Sequence, residues 1–402
     1  MPYRWLFSGE LVANVGRQIT VVAVPYQIYQ LTGSSLAVGL VGLAQVGPLI
    51  VCSLIGGSIA DAVDRRRLML TMQVLLAATS AGLAFNAAGP RPALWPLYAL
   101  TAAQAGLFAI DQPTRSAVIP SLVRPRDLTA AFALQQLLSQ TGHAVGPAIA
   151  GVIIARAGLS TAYTLDAASF AVSAVLLFPL GPQPPKGGGR RAGLASIMEG
   201  LRFLRDRPVL QSAFVIDLNA MVFGMPRALF PALGTQLFGG GAQVVGLLFA
   251  APGTGALVGA VLSGWVTQVQ RQGRAVIVAV CVWGAAIAMF GLTPWLWLAL
   301  ALLAIAGAAD VVSAVFRNTI LQQSVPDALR GRLSAVNIGV VAGGPRLGDV
   351  EAGAVAAVIG PQGSVVSGGL ACLVGAAVVV RRWPQLLAYV RPALEEEDPH
   401  RA

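Results

Sequence analysis

The sequence predicts an all-α integral membrane protein of twelve transmembrane helices in two pseudo-symmetric six-helix bundles, and three observations carry that expectation. The 402 residues are 56% hydrophobic and only 11% charged, with a mean hydropathy of +0.72, too little charge to coat a soluble globule of this size. Apolar runs near the roughly 20 residues that cross a bilayer as a helix recur twelve times between Gly, Pro and charged punctuation. A Pro/Gly-rich stretch then divides the runs six and six.

Taken in order, the first set of helices is expected near 8–31, 36–59, 68–88, 94–113, 129–156 and 160–180. The second set is expected near 209–234, 243–267, 274–292, 294–316, 333–358 and 363–381. Between them Gly181-Pro-Gln-Pro-Pro-Lys-Gly-Gly-Gly-Arg-Arg191 is too rich in Pro and Gly for a helix and too charged for burial. Residues 1–180 are therefore read as one half, 181–207 as a cytoplasmic linker, 208–382 as the second half and 383–402 as a cytoplasmic tail. Within the linker, Leu194 to Arg207 gathers Leu194, Ile197, Met198, Leu201 and Leu204 on one face and Arg202, Arg205 and Arg207 on others, the pattern of a helix lying on the membrane surface. A solvated connector is the plainer alternative. The segment Met1 to Gly9 has no signal-peptide core, so the first helix is expected to be retained.

The net charge of +10 would suit nucleic acid in a soluble protein, but here the basic residues lie in turns between apolar runs, so no nucleic acid partner is expected. Nearly all of them are arginine, since Lys186 is the one lysine. They cluster in alternate turns: Arg65 to Arg67, Arg124 and Arg126, the linker, Arg271 and Arg274, Arg330 and Arg332, Arg381 and Arg382. The positive-inside rule places those turns, and with them both termini, in the cytoplasm of a bacterial-type inner membrane. Cys52, Cys281 and Cys372 sit inside apolar runs without metal-type spacing, so neither a metal nor a cofactor is expected.

The halves echo each other. A shift of about 207 lays Val244-Val-Gly246-Leu-Leu on Ala37-Val-Gly39-Leu-Val, Gly264 on Gly57, and Arg271 and Arg274 on Asp64 and Arg67. A second echo pairs Arg115-Ser-Ala-Val-Ile with Arg317-Asn-Thr-Ile-Leu. Gene duplication accounts for both.

Two motifs then point to a family. Gly57-Ser-Ile-Ala-Asp61-Ala-Val-Asp64-Arg65-Arg66-Arg67 resembles the charged turn between the second and third helices of the major facilitator superfamily, with Ala62 in place of a basic residue and Asp64 in place of a glycine. In the fifth span Gly142-His-Ala-Val-Gly146-Pro147-Ala-Ile-Ala-Gly151 resembles the antiporter motif of exporters in that superfamily, with Ala150 for one Gly. The turn, Val325-Pro-Asp-Ala-Leu-Arg-Gly331-Arg332 and Gly348-Asp349 together are similar to the enterobactin exporter-like branch and, with the antiporter motif, to drug–proton antiporters. The resemblance implies a cytoplasmic gate in which Asp61 faces the start of the eleventh span and Arg65 or Arg66 pairs with Asp111. It also implies that Gly142, Gly146, Pro147 and Gly151 form a helix seam that moves, and that a substrate cavity lies between the halves.

Ionisable residues inside spans need a partner, a polar cavity or a task. The densest group is Arg346, Asp349 and Glu351 in the eleventh span: Arg346 and Asp349 are three apart and can pair on one face, while Glu351 points elsewhere. Arg17, His143, Asp217 and Asp310 are further candidates for the cavity and for proton coupling, with Arg227 also embedded and Asp166 nearer the outer end of the sixth span. No phosphate-cradling Gly-rich loop and no nucleophile elbow occurs in the sequence, so an ion gradient rather than ATP is the expected energy source and an enzyme is not expected. The reading is a secondary exporter of an amphipathic small molecule, such as a siderophore or antibiotic, by alternating access and proton antiport. Its expected partners are cargo, protons and lipids, and its expected state is a monomer. An importer on the same fold is the competing reading, and a non-transporting receptor or membrane enzyme is a third.

Overall fold

The computed structural model describes residues 2–184, 202–325 and 327–390, with the side-chain surroundings of 2, 57, 58, 60, 61, 267, 327–332, 334–339 and 342 outside the description. Helix α1 spans Pro2–Thr32, α2 Ser35–Ala62, α3 Arg65–Ala88, α4 Leu94–Leu122 and α5 Leu128–Leu177. The second half holds α6 (Pro208–Phe223), α7 (Ala242–Val261), α8 (Gln272–Leu292), α9 (Leu296–Ser324), α10 (Asp327–Arg382) and the short α11 (Pro384–Ala388). The expected surface helix over 194–207 falls mostly outside the described residues, as does the tail beyond 390.

Both α5 and α10 contain one residue of left-handed backbone, Gly158 at φ 81° and Gly360 at φ 79°. Only glycine enters that region without steric cost, and it turns the chain back on itself. Contacts with α1 show the reversal. Tyr3 meets Ala131 and Asn14 meets Leu138, so the first arm of α5 runs parallel to α1. Tyr163 meets Gln27, Asp166 meets Thr20 and Ser173 lies on Gly9, so the second arm runs antiparallel. In α10 the Ser364 hydroxyl donates to the Ala352 carbonyl across the same kind of hairpin. With both hairpins opened out, and α6 followed through its continuation to Leu237, the described residues make twelve traverses.

Two sequence expectations are corrected. The fourth span does not stop at 113: α4 continues through Pro113 and Pro120 to Leu122, because a membrane helix tolerates proline where neighbouring helices and Ser/Thr hydroxyls satisfy the freed backbone groups. The seventh span, expected as one helix over 209–234, breaks after Phe223. Gly224-Met-Pro226 interrupts it, a single 3-10 turn follows at Arg227–Leu229, and a π turn at Leu233–Leu237 completes the crossing. Pro226 has no N–H to continue the ladder.

The two halves repeat one packing scheme. In the first, α1 packs on α5, α2 on α4, and α3 on α4 and α5. In the second, α6 packs on α10, α7 on α9, and α8 on α9 and α10. Apolar side chains such as Phe85, Trp95, Val261 and Trp297 stand exposed on the outside of the bundle, as lipid contact requires, and Trp95 and Trp297 occupy matching places at the starts of α4 and α9. Aromatic residues at such helix ends suit the membrane interface.

Candidate functional site

The halves meet along two seams, α5 against α7 and α2 against α10, and both are built from glycine. A Cβ on Gly151 would lie 2.6 Å from the Ala242 carbonyl and 3.1 Å from the Gln243 Cα, and one on Gly246 would lie 2.5 Å from the Pro147 carbonyl. On the other seam a Cβ on Gly353 would lie 2.7 Å from the Ser35 carbonyl and 2.9 Å from the Leu36 Cα, and Gly39 faces the Asp349 carbonyl. The second seam is the first repeated: Gly353 and Asp349 follow Gly151 and Pro147 by 202 residues, and Ala242, Gln243 and Gly246 follow Ser35, Leu36 and Gly39 by 207. Main chain touches main chain at both, the close approach that small residues permit between membrane helices.

The antiporter-like motif thus divides its work. Gly142 and Gly146 pack inside their own half, on Asn14 and Gln18 of α1, whereas Gly151 and the Pro147 carbonyl lie on the seam between halves. Its counterpart in α10, Gly344, Gly348 and Gly353, shares the spacing and was not read from the sequence. The charges of Arg346, Asp349 and Glu351 drew attention away from the glycines around them.

Closure is confined to one end. A buried cluster joins Ile19, Val22, Val38 and Ile154 of the first half to Ala228, Ala232, Ala242 and Val245 of the second, beside the Gly158 and Gly360 turns. Among the described residues, seam contacts run from this end only as far as Gly42 against Arg346 and Ala144 and His143 against Thr254 and Gly253. Beyond them, toward the arginine-rich turns, Gly47 meets nothing within 4 Å and the first arm of α5 exposes Phe132, Leu134 and Leu137.

Where closure stops, the predicted ionisable residues gather. Arg17 donates from Nη2 to Asn14 Oδ1 at 2.7 Å and lies over the Phe108 ring, 5.3 Å from its centroid. His143 is exposed, and its Nδ1 lies 2.8 Å from the Ser139 carbonyl and donates to it. In the second half Asp217 pairs with Arg317 at 2.6 Å between α6 and α9, and Arg317 also donates to Ser313 Oγ at 2.6 Å. Asp310 lies within electrostatic reach of Arg317 and Arg227. Asp349 Oδ1 accepts from the Ala228 amide at 3.1 Å, so the break in the seventh crossing points a free N–H at this carboxyl. Arg227, exposed on the same break, and Arg346 both act electrostatically on Asp349. Glu351 is half-buried.

The charged turn is arranged differently from its sequence expectation. Asp111 is held by Arg115, Nε to Oδ2 at 2.7 Å, and by Gln73 at 3.2 Å. Arg65 instead donates to the Ala117 carbonyl at 3.3 Å. Arg66 donates to the Phe178 carbonyl at 2.5 Å and stacks on its ring. Arg65 lies level with Ala117, six residues beyond the buried Asp111 on α4, and backbone carbonyls accept the hydrogen bonds of both arginines. Asp64 caps α3 by accepting from the Arg67 amide at 3.1 Å, and its other oxygen accepts from the Gln183 amide at 2.8 Å. The side-chain surroundings of Gly57 and Asp61 lie outside the described residues, as do those of the α10 start that Asp61 is expected to face.

One buried carboxyl belongs to none of these groups. Asp166, in the second arm of α5, is wholly buried among α1, α3 and α4.

Two six-helix halves with a charged interior and glycine seams between them define a secondary transporter of the major facilitator fold. The chain belongs to the transmembrane secretion effector family, whose model matches residues 2–391. It is 29% identical over 372 residues to the enterobactin exporter EntS of Escherichia coli O1:K1 / APEC, covering 92% of this chain and 89% of that one, and equally to that of strain E24377A. These relatives are transporters, not enzymes. Among solved structures it superposes on a POT family transporter in complex with 5-aminolevulinic acid, with TM-score 0.75, 13% identity and 96% of each chain covered. It also superposes on a bacterial homolog of the human lysosomal transporter Spinster in an inward-facing, unoccupied conformation, with TM-score 0.74, 15% identity, and 96% of this chain and 97% of that one covered. At these identities the structures share the fold alone.

Proposed function

We propose that this protein is a proton-coupled exporter of amphipathic small molecules, siderophores of the enterobactin type among them, that works by alternating access as a monomer in a bacterial inner membrane. The observation that carries the reading is the duplicated glycine seam, closed at one end and parted at the other. Two main-chain surfaces in contact, without interlocking side chains, can roll over each other and transfer closure from one end to the other. By the positive-inside rule the arginine-rich turns support a reading in which the parted end and both termini are cytoplasmic and cargo enters from the cytoplasm or inner leaflet. The direction of transport is taken from the enterobactin exporters that the chain resembles.

Asp349 and Glu351 are the proposed coupling acids on the seam, with Arg346 and Arg227 beside them and Asp217, Asp310, Arg17 and His143 lining the space between halves. Asp349 stands where the first half has Pro147, so at this pair of matching seam positions only the second half carries a titratable group. Uptake of enterobactin by inside-out vesicles, from cells lacking their own exporters, tests the reading. Accumulation driven by an acidic vesicle interior supports it. Uptake only into right-side-out vesicles favours the importer, and no transport in either orientation across a siderophore and drug panel overturns it.

A further inference from the structure

Among the buried carboxyls of the described residues, Asp111 and Asp217 have an arginine at ion-pair distance, and the half-buried Asp349 has a backbone amide. Asp166 is fully buried and has neither. Its Oδ2 accepts from Thr20 Oγ1 of α1 at 2.6 Å and from Ser80 Oγ of α3 at 2.7 Å. Its Oδ1 has no hydrogen-bond partner and faces Gly16, where a Cβ would lie 2.7 Å from it. One oxygen is thus saturated with donors while the other is bare.

The groups around it are polar but uncharged. On α3 and α4 the nearest are Ser80 and Gln104, whose amide donates to Ser80 Oγ at 3.0 Å. On its own helix Tyr163 donates its hydroxyl to Gln27, and Ser169 donates to the Asp166 carbonyl. Among the described residues, the cation in electrostatic reach is Arg17 of α1, which is shared with Glu10 and Asp111 and hydrogen-bonds Asn14.

Two pairs of buried polar side chains link α3 and α4 on this side of the half. Gln73 and Ser80 are seven apart on α3, Gln104 and Asp111 seven apart on α4, and they pair as two rungs, Gln73 with Asp111 and Ser80 with Gln104. Seven residues separate the rungs by about 10 Å along the helices. Between the rungs the buried Leu76 of α3 and the partly buried Leu107 of α4 form an apolar layer that separates the Asp111–Arg115 pair from Asp166.

We propose that Asp166 is a proton-binding site of the transport cycle. The proton adds to Oδ1, the oxygen without a donor, and converts the carboxylate to a neutral carboxyl; no other bond changes. Neutralisation weakens the two hydroxyl bonds to Oδ2, one of which ties α1 to the second arm of α5. The opposite side of α1 carries Asn14 and Gln18, on which Gly142 and Gly146 of the seam arm rest. Proton binding is thereby transmitted to the helix that rolls. A sodium ion is a poorer occupant, because hydroxyls 2.6 and 2.7 Å from the carboxylate leave no room between them for a cation.

The inference rests on the proton-antiport reading, and its test is independent of cargo. Infrared titration of the full chain in lipid nanodiscs reads the protonated-carboxyl band directly. A titrating band that is lost in Asp166→Asn and retained in Asp349→Asn is the expected result. Thr20→Val and Ser80→Ala each remove a donor to the charged form, worth about 1.5–3 kcal/mol, and are expected to tighten proton binding about tenfold or more. These two variants keep the test decisive should Asp166→Asn fail to fold. Bands unchanged in all three variants, or a band that follows sodium at constant pH, overturn the proposal. Loss of the band in Asp166→Asn, together with no transport by the wild type across the siderophore and drug panel, sinks the exporter reading and leaves the proton site standing.

Discussion

Asp64 makes two bonds that a glycine at its place in the turn cannot make: one carboxylate oxygen caps α3 and the other holds the Gln183 amide. Ser121 secures the same residue from α4, donating to Gln183 Oε1 at 2.6 Å, and the Arg65 amide donates to the Gln183 carbonyl at 3.0 Å. The turn therefore grips the start of the linker. Asp64→Ala is expected to lower stability by about 1 kcal/mol through the lost cap, read by thermal unfolding in detergent, and to raise hydrogen exchange at the Gln183 amide. The Asp217–Arg317 pair has a larger effect. Removing either partner alone strands a buried charge and is expected to cost about 3–5 kcal/mol, whereas Asp217→Ala with Arg317→Ala together cost less than the sum; a double-mutant cycle on unfolding checks this. Asp217 and Asp310 were legible as embedded charges because charge stands out in an apolar run. Asp166 was visible as a letter but not as a site, since its meaning comes from Thr20 and Ser80, 146 and 86 residues away.

Glycine decides where the elements turn and where they touch. Gly158 and Gly360 turn α5 and α10 back at positive φ, and any side chain there costs on the order of 1–3 kcal/mol in local strain. Gly246 matters for contact rather than conformation: Gly246→Leu is expected to abolish transport while the chain still inserts, because the new side chain meets the Pro147 carbonyl and the Gly151 Cα. Gly47→Leu, in open space on α2, is expected to keep at least half of wild-type transport. Vesicle transport normalised to membrane abundance compares the two. Helix existence was legible nearly throughout, since apolar runs of bilayer length have few alternatives. The break after Phe223 was not, because Gly224 and Pro226 resemble the proline and glycine that α4 and α7 absorb without breaking.

For the whole molecule, the offset between halves falls from 207 to 202, and the five residues can be located. Helix α8 has 21 residues where α3 has 24, and the turn after it, 293–295, is two residues shorter than 89–93. Only one offset holds at each seam partner, which is why the α5 motif and its copy in α10 do not align under a single shift. The parted end also makes a prediction. Val46 lies seven residues beyond Gly39 on the same face of α2, past the last described seam contact. In a background without Cys52, Cys281 and Cys372, Val46→Cys is expected to react with an aqueous maleimide in inside-out vesicles and much more slowly in right-side-out ones; equal rates argue against the assigned sidedness.

A bearing made of bare main chain is indifferent to what the neighbouring side chains become. Because Gly39, Gly151, Gly246 and Gly353 offer nothing beyond backbone at the points of contact, residues lining the interior are free to drift in size, polarity and charge without jamming the motion. Mechanical constraint and chemical selectivity are written in separate letters of the sequence, so a lineage carrying this chassis can acquire a new cargo by changing its lining and leave the machine that moves it untouched.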